Sequence, residues 1–416
     1  MNNRSLYATP LAALSLGLMA LTAAPAATAG PTFVVNTTRD GSQIAPDIAH
    51  LGAAGFVVVW QGPDSSGNGV FARRFAADGS PLGDEFRVHP DATGAQYWPR
   101  VAADASGRYA ISYTASLGGS APQQWVRRYD AAGPIDAQPV RLPISFIGPT
   151  LSMAPDGTAA FIGYGASTPN EDGEPIRMRR FSFDSNRPSS AETTVAIGAD
   201  YGDRSTDACF HADGSLAMVY LSPLQPDFAY RATLLRFNAA GEPIGSTAFL
   251  TGGAAEAAEL SLACLTDGSY AVAYSDLSES IVELASVYVQ RLSHAGEVLG
   301  EPQLLSDTTT PRGANGSGPD IASLPGGGYD VVWGRYRVLS GDSEDPDEFE
   351  FQIQGQRFSN DGVATTGRRR IDQAPFPLAR ARFPAVASGS ITSFAVWRSS
   401  VGPAQFPTDI SGRVLP

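Results

Sequence analysis

Few residues in this chain are equipped for chemistry, and their spacing is unhelpful to most mechanisms. Four histidines, His50, His89, His211 and His294, form no H-x-H or H-E-x-x-H pattern, so the sequence offers no zinc ligand set. No G-x-S-x-G turn presents a serine nucleophile. All 29 basic residues are arginine, which removes Schiff-base, pyridoxal phosphate and P-loop chemistry because each needs a lysine amine. Carboxylates, arginines and aromatics remain. The densest acidic run, SGDSEDPDEFE, carries Asp342, Glu344, Asp345, Asp347, Glu348 and Glu350. Alternating carboxylates supply the hard oxygens that calcium prefers, yet the run lacks a D-x-D-x-D-G turn and contains Pro346. Asp342, Glu344, Asp345 and Asp347 are therefore weak calcium candidates, and the simpler expectation is a solvated loop neutralised by Arg380 and Arg382. No other metal or cofactor is expected.

The elements that position these residues follow from a repeat. Apolar runs end in an aromatic at Trp60, Tyr113, Tyr164, Tyr220, Tyr274, Trp333 and Trp397, at intervals of 51 to 64 residues. A proline opens five of the units, at Pro46, Pro99, Pro149, Pro319 and Pro384. Downstream, each unit has an arginine before a large apolar residue: Arg74, Arg128, Arg180, Arg236, Arg291, Arg357 and Arg413. The first unit reads as four strands, PDIAHL (A), FVVVW (B), VFARRF (C) and EFRV (D). GAAG, QGPDSSGNG and AADGSPLG separate them. Such dense turn punctuation leaves no room for helices. Seven four-stranded units predict an all-β, seven-bladed β-propeller.

The last unit ends at ISGRVLP without a strand D. The segment PTFVVNTT, 31–38, resembles the strand D segment EFRVHP and is predicted to complete the C-terminal blade, because an open ring would leave unpaired edges. Residues 1–29 read as a cleaved signal peptide: Arg4, an apolar stretch from Leu11, then Ala27-Thr28-Ala29. The expected organisation is thus a signal followed by one propeller domain over 30–416, secreted or periplasmic. The net charge of −13 makes nucleic acid and anionic membrane poor partners. No membrane insertion is expected, and a monomer is.

The pattern P-x-V-A, G-F-V-V-V-W, F-A-R-R-F, D-G and E-F-R-V resembles the tandem propeller repeats of secreted proteins from Gram-negative bacteria. The resemblance spans 31–416 and is strongest in units 1, 2 and 6. It implies fold and export and carries no catalytic residues to transfer. The calcium-binding nonapeptides found beside some of these repeats are absent, as is the S-x-D-x-G-x-x-W box of sialidase propellers.

Placed on a propeller, the residue after the opening position of each inner strand faces the channel mouth: Asp47, Arg100, Thr150, Asp207, Ser261, Asp320 and Ala385. Three carboxylates and one arginine there could hold a cation, a sugar or a water cluster, or could be a solvated rim. Tyr97, Trp98 and Tyr201 fall in loops on the same face, where rings stack on sugars or peptide side chains. Cys209 and Cys264 occupy positions of opposite parity on neighbouring inner strands, which turns both thiols into one gap and predicts a disulfide. The repeated arginines are expected to pack on the strand B aromatics. The function these features support is an exported, non-catalytic binding module for a glycan or a protein. Its rivals are a carbohydrate-active hydrolase or lyase with paired carboxylates in the central pit, and a calcium-stabilised structural protein.

Overall fold

The computed structural model describes residues 29–90, 93–116, 121–146, 150–164, 174–185, 187–198, 206–224, 229–249, 257–276, 286–306, 315–338, 349–373, 380–390, 392–400 and 407–416. Tyr201, Asp342, Glu344, Asp345 and Asp347 lie outside these residues, as does the expected signal segment up to residue 28. Seven antiparallel sheets each follow the order A-B-C-D outward from the axis. The inner strands are Ile44–His50, Ala95–Ala103, Thr150–Met153, Thr206–Phe210, Ala257–Cys264, Asn315–Ser323 and Arg380–Ser388. Each packs against the next, and the seventh against the first, so the ring closes.

Closure uses the N-terminus as the sequence predicts. Phe33 and Val34 pair with Gly412 and Ser411 of the last strand, and the Val35 amide donates to the Ile410 carbonyl at 2.7 Å. Asn36, 2% exposed, clamps the seam. Its amide nitrogen donates to Asp409 and to the Thr38 carbonyl, both at 2.8 Å, while its oxygen accepts the Ile410 amide at 2.7 Å. Above the seam Phe394 sits between Phe56 and Phe75, with ring centroids 5.5 and 5.4 Å away. Termini 374 residues apart in sequence are thereby joined by side chain as well as backbone.

Two expectations need correction. The segment 61–69 is not an open loop: strands Phe56–Asp64 and Gly67–Phe75 continue through it and leave a two-residue turn, because Asp64 caps the Ser66 amide at 2.9 Å. The arginines do not pack on the strand B aromatics. Arg74, Arg128, Arg180, Arg236 and Arg291 lie across from Val57, Ala110, Ala160, Ala217 and Ala271, and only a small side chain leaves room for the guanidinium. From there Arg180 reaches the Ala239 carbonyl of the next blade at 2.7 Å, and Arg236 that of His294 at 2.9 Å. In blade 6 the small residue is Asp330, which Arg357 grips with two bonds of 2.8 Å. Arg413 belongs to a second series: it donates back to the Ile371 carbonyl of blade 6, as Arg73 does to Val35 and Arg127 to Val88.

Cys209 and Cys264 form the expected disulfide between blades 4 and 5, with their Cα atoms 5.6 Å apart. In the chain-entropy account it contributes about 4 kcal/mol. Two outcomes follow. Asn36→Ala leaves the buried Ile410 amide without its acceptor and should cost about 1–3 kcal/mol in a denaturant titration. It should lower the midpoint of the whole transition rather than split it, since the seam closes the entire ring. Reduction with dithiothreitol should lower the melting temperature of the wild type and leave that of Cys209→Ser/Cys264→Ser unchanged.

Candidate site at the channel mouth

The inner strand is an edge strand, so every second amide along it points at the axis with no ladder partner. A buried N–H left unpaired costs about 1–3 kcal/mol, and seven blades bring seven such groups to one narrow mouth. The side chains that solve this are the predicted ring positions. Asp47 accepts the Val101 amide of blade 2 at 2.8 Å, Asp207 the Leu262 amide of blade 5 at 2.7 Å, Ser261 the Ile321 amide of blade 6 at 3.3 Å, and Asp320 the Val386 amide of blade 7 at 2.7 Å. Each residue caps the following blade.

Where the preceding blade offers no acceptor, the aspartate caps its own strand too. Blade 7 has Ala385 ahead of Asp47, whose second oxygen accepts the Ile48 amide at 2.9 Å. Blade 3 has Thr150, whose hydroxyl donates to the Thr206 carbonyl at 3.0 Å, and Asp207 accordingly takes the Ala208 amide at 2.8 Å. Asp320 follows Ser261, which already caps Ile321, and its other oxygen accepts the Ser261 hydroxyl at 2.9 Å. Both oxygens of all three carboxylates are thus engaged.

A backbone device aims these residues. Ahead of Asp47, Arg100, Ser261 and Asp320 the strand carries a bulge whose residue takes positive φ: Ala45 at 51°, Trp98 at 53°, Glu259 at 47° and Gly318 at 54°. The next residue is Pro46, Pro99, Leu260 or Pro319, and the one after it is the ring residue. A bulge turns the following side chain toward the mouth. Trp98 is the bulky exception in a conformation that disfavours large side chains. The Gln61 side chain accepts its amide at 3.4 Å, and Tyr97 stands edge-on at 4.8 Å and shares a 2.9 Å hydrogen bond with Ser116. Both rings are half-buried and belong to the inner strand Ala95–Ala103 rather than to the loop expected from sequence, because pairing with Thr114 to Ser116 extends the strand past the bulge.

The seven ring residues line one polar cavity of about 130 Å³, room for a few waters at roughly 30 Å³ each. Burial pushes the Asp207 carboxyl up to about 7, offset in part by the Leu262 amide and reinforced by the charge of Asp320. Asp47 is likewise raised by burial, against the opposing pull of Arg100. Among the described residues no three metal-ligating side chains converge. The seven residues expected at the mouth do line one cavity, but the sequence reading saw neither the amides they cap nor the bulge, whose trace was the proline before Asp47, Arg100 and Asp320.

The folded state holds the Asp207 proton more tightly than the unfolded chain does. Stability conferred by that proton is therefore full below about 4 and lost as pH rises toward about 7. Melting temperature measured from pH 5 to pH 8 should fall by several degrees more in the wild type than in Asp207→Asn.

No known family's sequence profile matches this chain. No curated protein is similar to it in sequence. Solved structures do share its fold. A protein of unknown function from Dyadobacter fermentans is similar over 93% of this chain and 98% of its own, with TM-score 0.55 and 10% identity. An ulvan lyase from a new family of polysaccharide lyases, solved bound to -[GlcA(1-4)Rha3S]-, is similar over 91% of this chain and 95% of its own, with TM-score 0.52 and 10% identity. At such identity the likeness establishes a seven-bladed β-propeller and nothing about activity.

Proposed function

We propose that the protein is an exported, non-catalytic binding propeller that takes a sugar ring at the channel mouth. The observation that supports this is the full engagement of Asp47, Asp207 and Asp320 in capping backbone amides and the Ser261 hydroxyl. A glycosidase needs one carboxyl as acid and another as base or nucleophile, both free to reach the substrate. Here the carboxylates form a fixed polar floor. Tyr97 and Trp98, on the inner strand three and two residues before Arg100, would supply the aromatic surface, and Trp98 is held in a strained conformation of the kind that persists where its placement matters. Aromatic face against sugar ring, with polar groups fixing orientation, is the chemistry this mouth offers. Export is supported by the disulfide, which persists in an oxidising compartment. Calcium binding at Asp342, Glu344, Asp345 and Asp347 is a separate proposal, tested by melting with and without chelator.

One observation favours a second, enzymatic reading. A carboxyl titrating at about 7 is suited to proton transfer at neutral pH, and Asp207 is one. The two readings separate in one experiment. The mature chain (30–416) is titrated with a panel of oligosaccharides by calorimetry while released reducing ends and unsaturated uronates are followed by absorbance. Binding without product, weakened about tenfold by Trp98→Ala, is the expected result. Turnover abolished by Asp207→Asn would transfer the function to the enzymatic reading.

A further inference from the structure

The junction between blades 1 and 2 is built differently from its sister junctions. In most blades the turn after strand C runs six residues from the strand end to its pairing partner, as from Phe75 to Pro81, Phe237 to Pro243, Leu292 to Val298 and Phe358 to Ala364. A glycine in that turn lies tight against the preceding blade. A Cβ at Gly79 would stand 2.6 Å from Val414, at Gly241 3.1 Å from Arg180, at Gly296 2.8 Å from Arg236 and at Gly362 2.6 Å from Arg291. Blade 2 spans Tyr129 to Pro134, one residue fewer. Its glycine, Gly133, meets no atom within 4 Å. The shortened turn has drawn back from Arg74.

Arg74 is correspondingly underused. Among the described residues its one hydrogen bond, to the Ala131 carbonyl, is 3.4 Å long, against 2.7 Å for Arg180 and 2.9 Å for Arg236 to the matching carbonyls. The same arginine one blade on, Arg128, is gripped by Asp136 through Nη2 at 2.6 Å and Nε at 3.0 Å. Register places Gly83 where blade 2 has Asp136, because the Leu82 amide bonds Arg74 as the Ile135 amide bonds Arg128. Among the described residues Arg74 makes no ion pair.

The retreat leaves a cleft of about 340 Å³, walled by Tyr109, Tyr129, Phe86, Leu82 and Pro134, with Arg74 inside and the exposed Asp84 at its edge. Tyr109 and Tyr129 stack at 4.9 Å, and Phe86 lies 5.7 Å from Tyr129. Burial pushes the Tyr109 hydroxyl up to about 12, so the wall is neutral at ordinary pH. The volume falls in the range of small-molecule sites.

We propose that this cleft is a second ligand site, separate from the channel mouth, and that it takes a small aromatic monocarboxylate. Two sister junctions show what completes such a space. At the blade 7–1 seam an aromatic ring, Phe394, packs on Phe56 and Phe75, the counterparts of Tyr109 and Tyr129. At blade 2 a carboxylate holds the arginine. A ligand carrying both groups supplies what blade 1 lacks: its ring lies on the tyrosines and Phe86, and its carboxylate accepts from the Arg74 guanidinium. Asp84 at the edge disfavours a second negative charge, which selects monoanions over dicarboxylates.

The test is a calorimetric and saturation-transfer titration of the mature chain with 3-phenylpropionate and with neutral 3-phenylpropanol. The acid should bind at least about tenfold more tightly than the alcohol, a difference of about 1.4 kcal/mol. Arg74→Gln should abolish that preference. Replacing Asp130–Gly133 with the blade 1 turn Ala76–Ser80 should close the cleft and remove binding of both, while Trp98→Ala leaves binding intact. Absence of binding by the wild type, equal affinity for acid and alcohol, or an unchanged preference in Arg74→Gln would each overturn the proposal.

Discussion

Seven inner strands converge on one axis, and each brings an edge of unpaired amides to a space too narrow to hydrate them freely. This constraint organises the centre of the molecule. Asp47, Asp207, Ser261 and Asp320 answer it by reaching across to the next blade, so that the polar residues at the mouth are first of all a circumferential tie. The tie is broken at Arg100, which carries donors only, and at Thr150 and Ala385, and the aspartates after the last two turn an oxygen onto their own strand as well. What looks like an acidic cup is therefore a set of fulfilled hydrogen bonds. Its chemistry toward a ligand is that of a fixed dipolar surface, and reactive groups have to be sought elsewhere or in the one carboxyl whose proton is held near neutrality.

The outer half of each junction solves a different problem: joining two sheets whose facing surfaces do not match perfectly. An arginine opposite a small residue fills the gap and spends its donors on carbonyls of the next blade, so packing and hydrogen bonding come from one side chain. The repeat tolerates exchange as long as volume and polarity are conserved together. Blade 6 substitutes a buried Arg357–Asp330 pair, and blade 7 substitutes Val414 with Phe394. Blade 1 keeps the arginine without the carboxylate that grips it in blade 2, and the blade 2 turn that faces it is one residue shorter than its counterparts. A vacancy inside an otherwise filled series is more informative than a pocket of the same size on an irregular fold, because its neighbours show which groups fit.

The fold was legible in the sequence because its signals are periodic: Trp60 to Trp397 mark strand B, and the strand-D likeness of 31–38 marks the closing strand. The Cys209–Cys264 bond was legible because parity along a strand is fixed by its geometry. The ring residues could be found by counting from a proline. Their partners could not, since an amide one blade away leaves no trace in residue type. Arg74 and its relatives were assigned to the wrong neighbour for a related reason: sequence order shows that an arginine lies near an aromatic but not which cross-strand residue is small enough to let it through. The one-residue shortening of the Asp130–Gly133 turn went unread in the sequence, and the contacts of Gly79, Gly241, Gly296 and Gly362 are what give it meaning. Tyr201, Asp342, Glu344, Asp345 and Asp347 lie outside the described residues, and their roles stay as the sequence leaves them.

The central claim is that the mouth residues cap the inner edge of the following blade. Residue-resolved hydrogen exchange tests it directly. The amides of Val101, Leu262 and Val386 lie on a strand edge beside an open channel, where uncapped groups exchange quickly. The account predicts that they are protected in the wild type, and that Asp47→Ala, Asp207→Ala and Asp320→Ala release the Val101, Leu262 and Val386 amides respectively. Rapid exchange at these three amides in the wild type, or protection that survives removal of the matching aspartate, would contradict it.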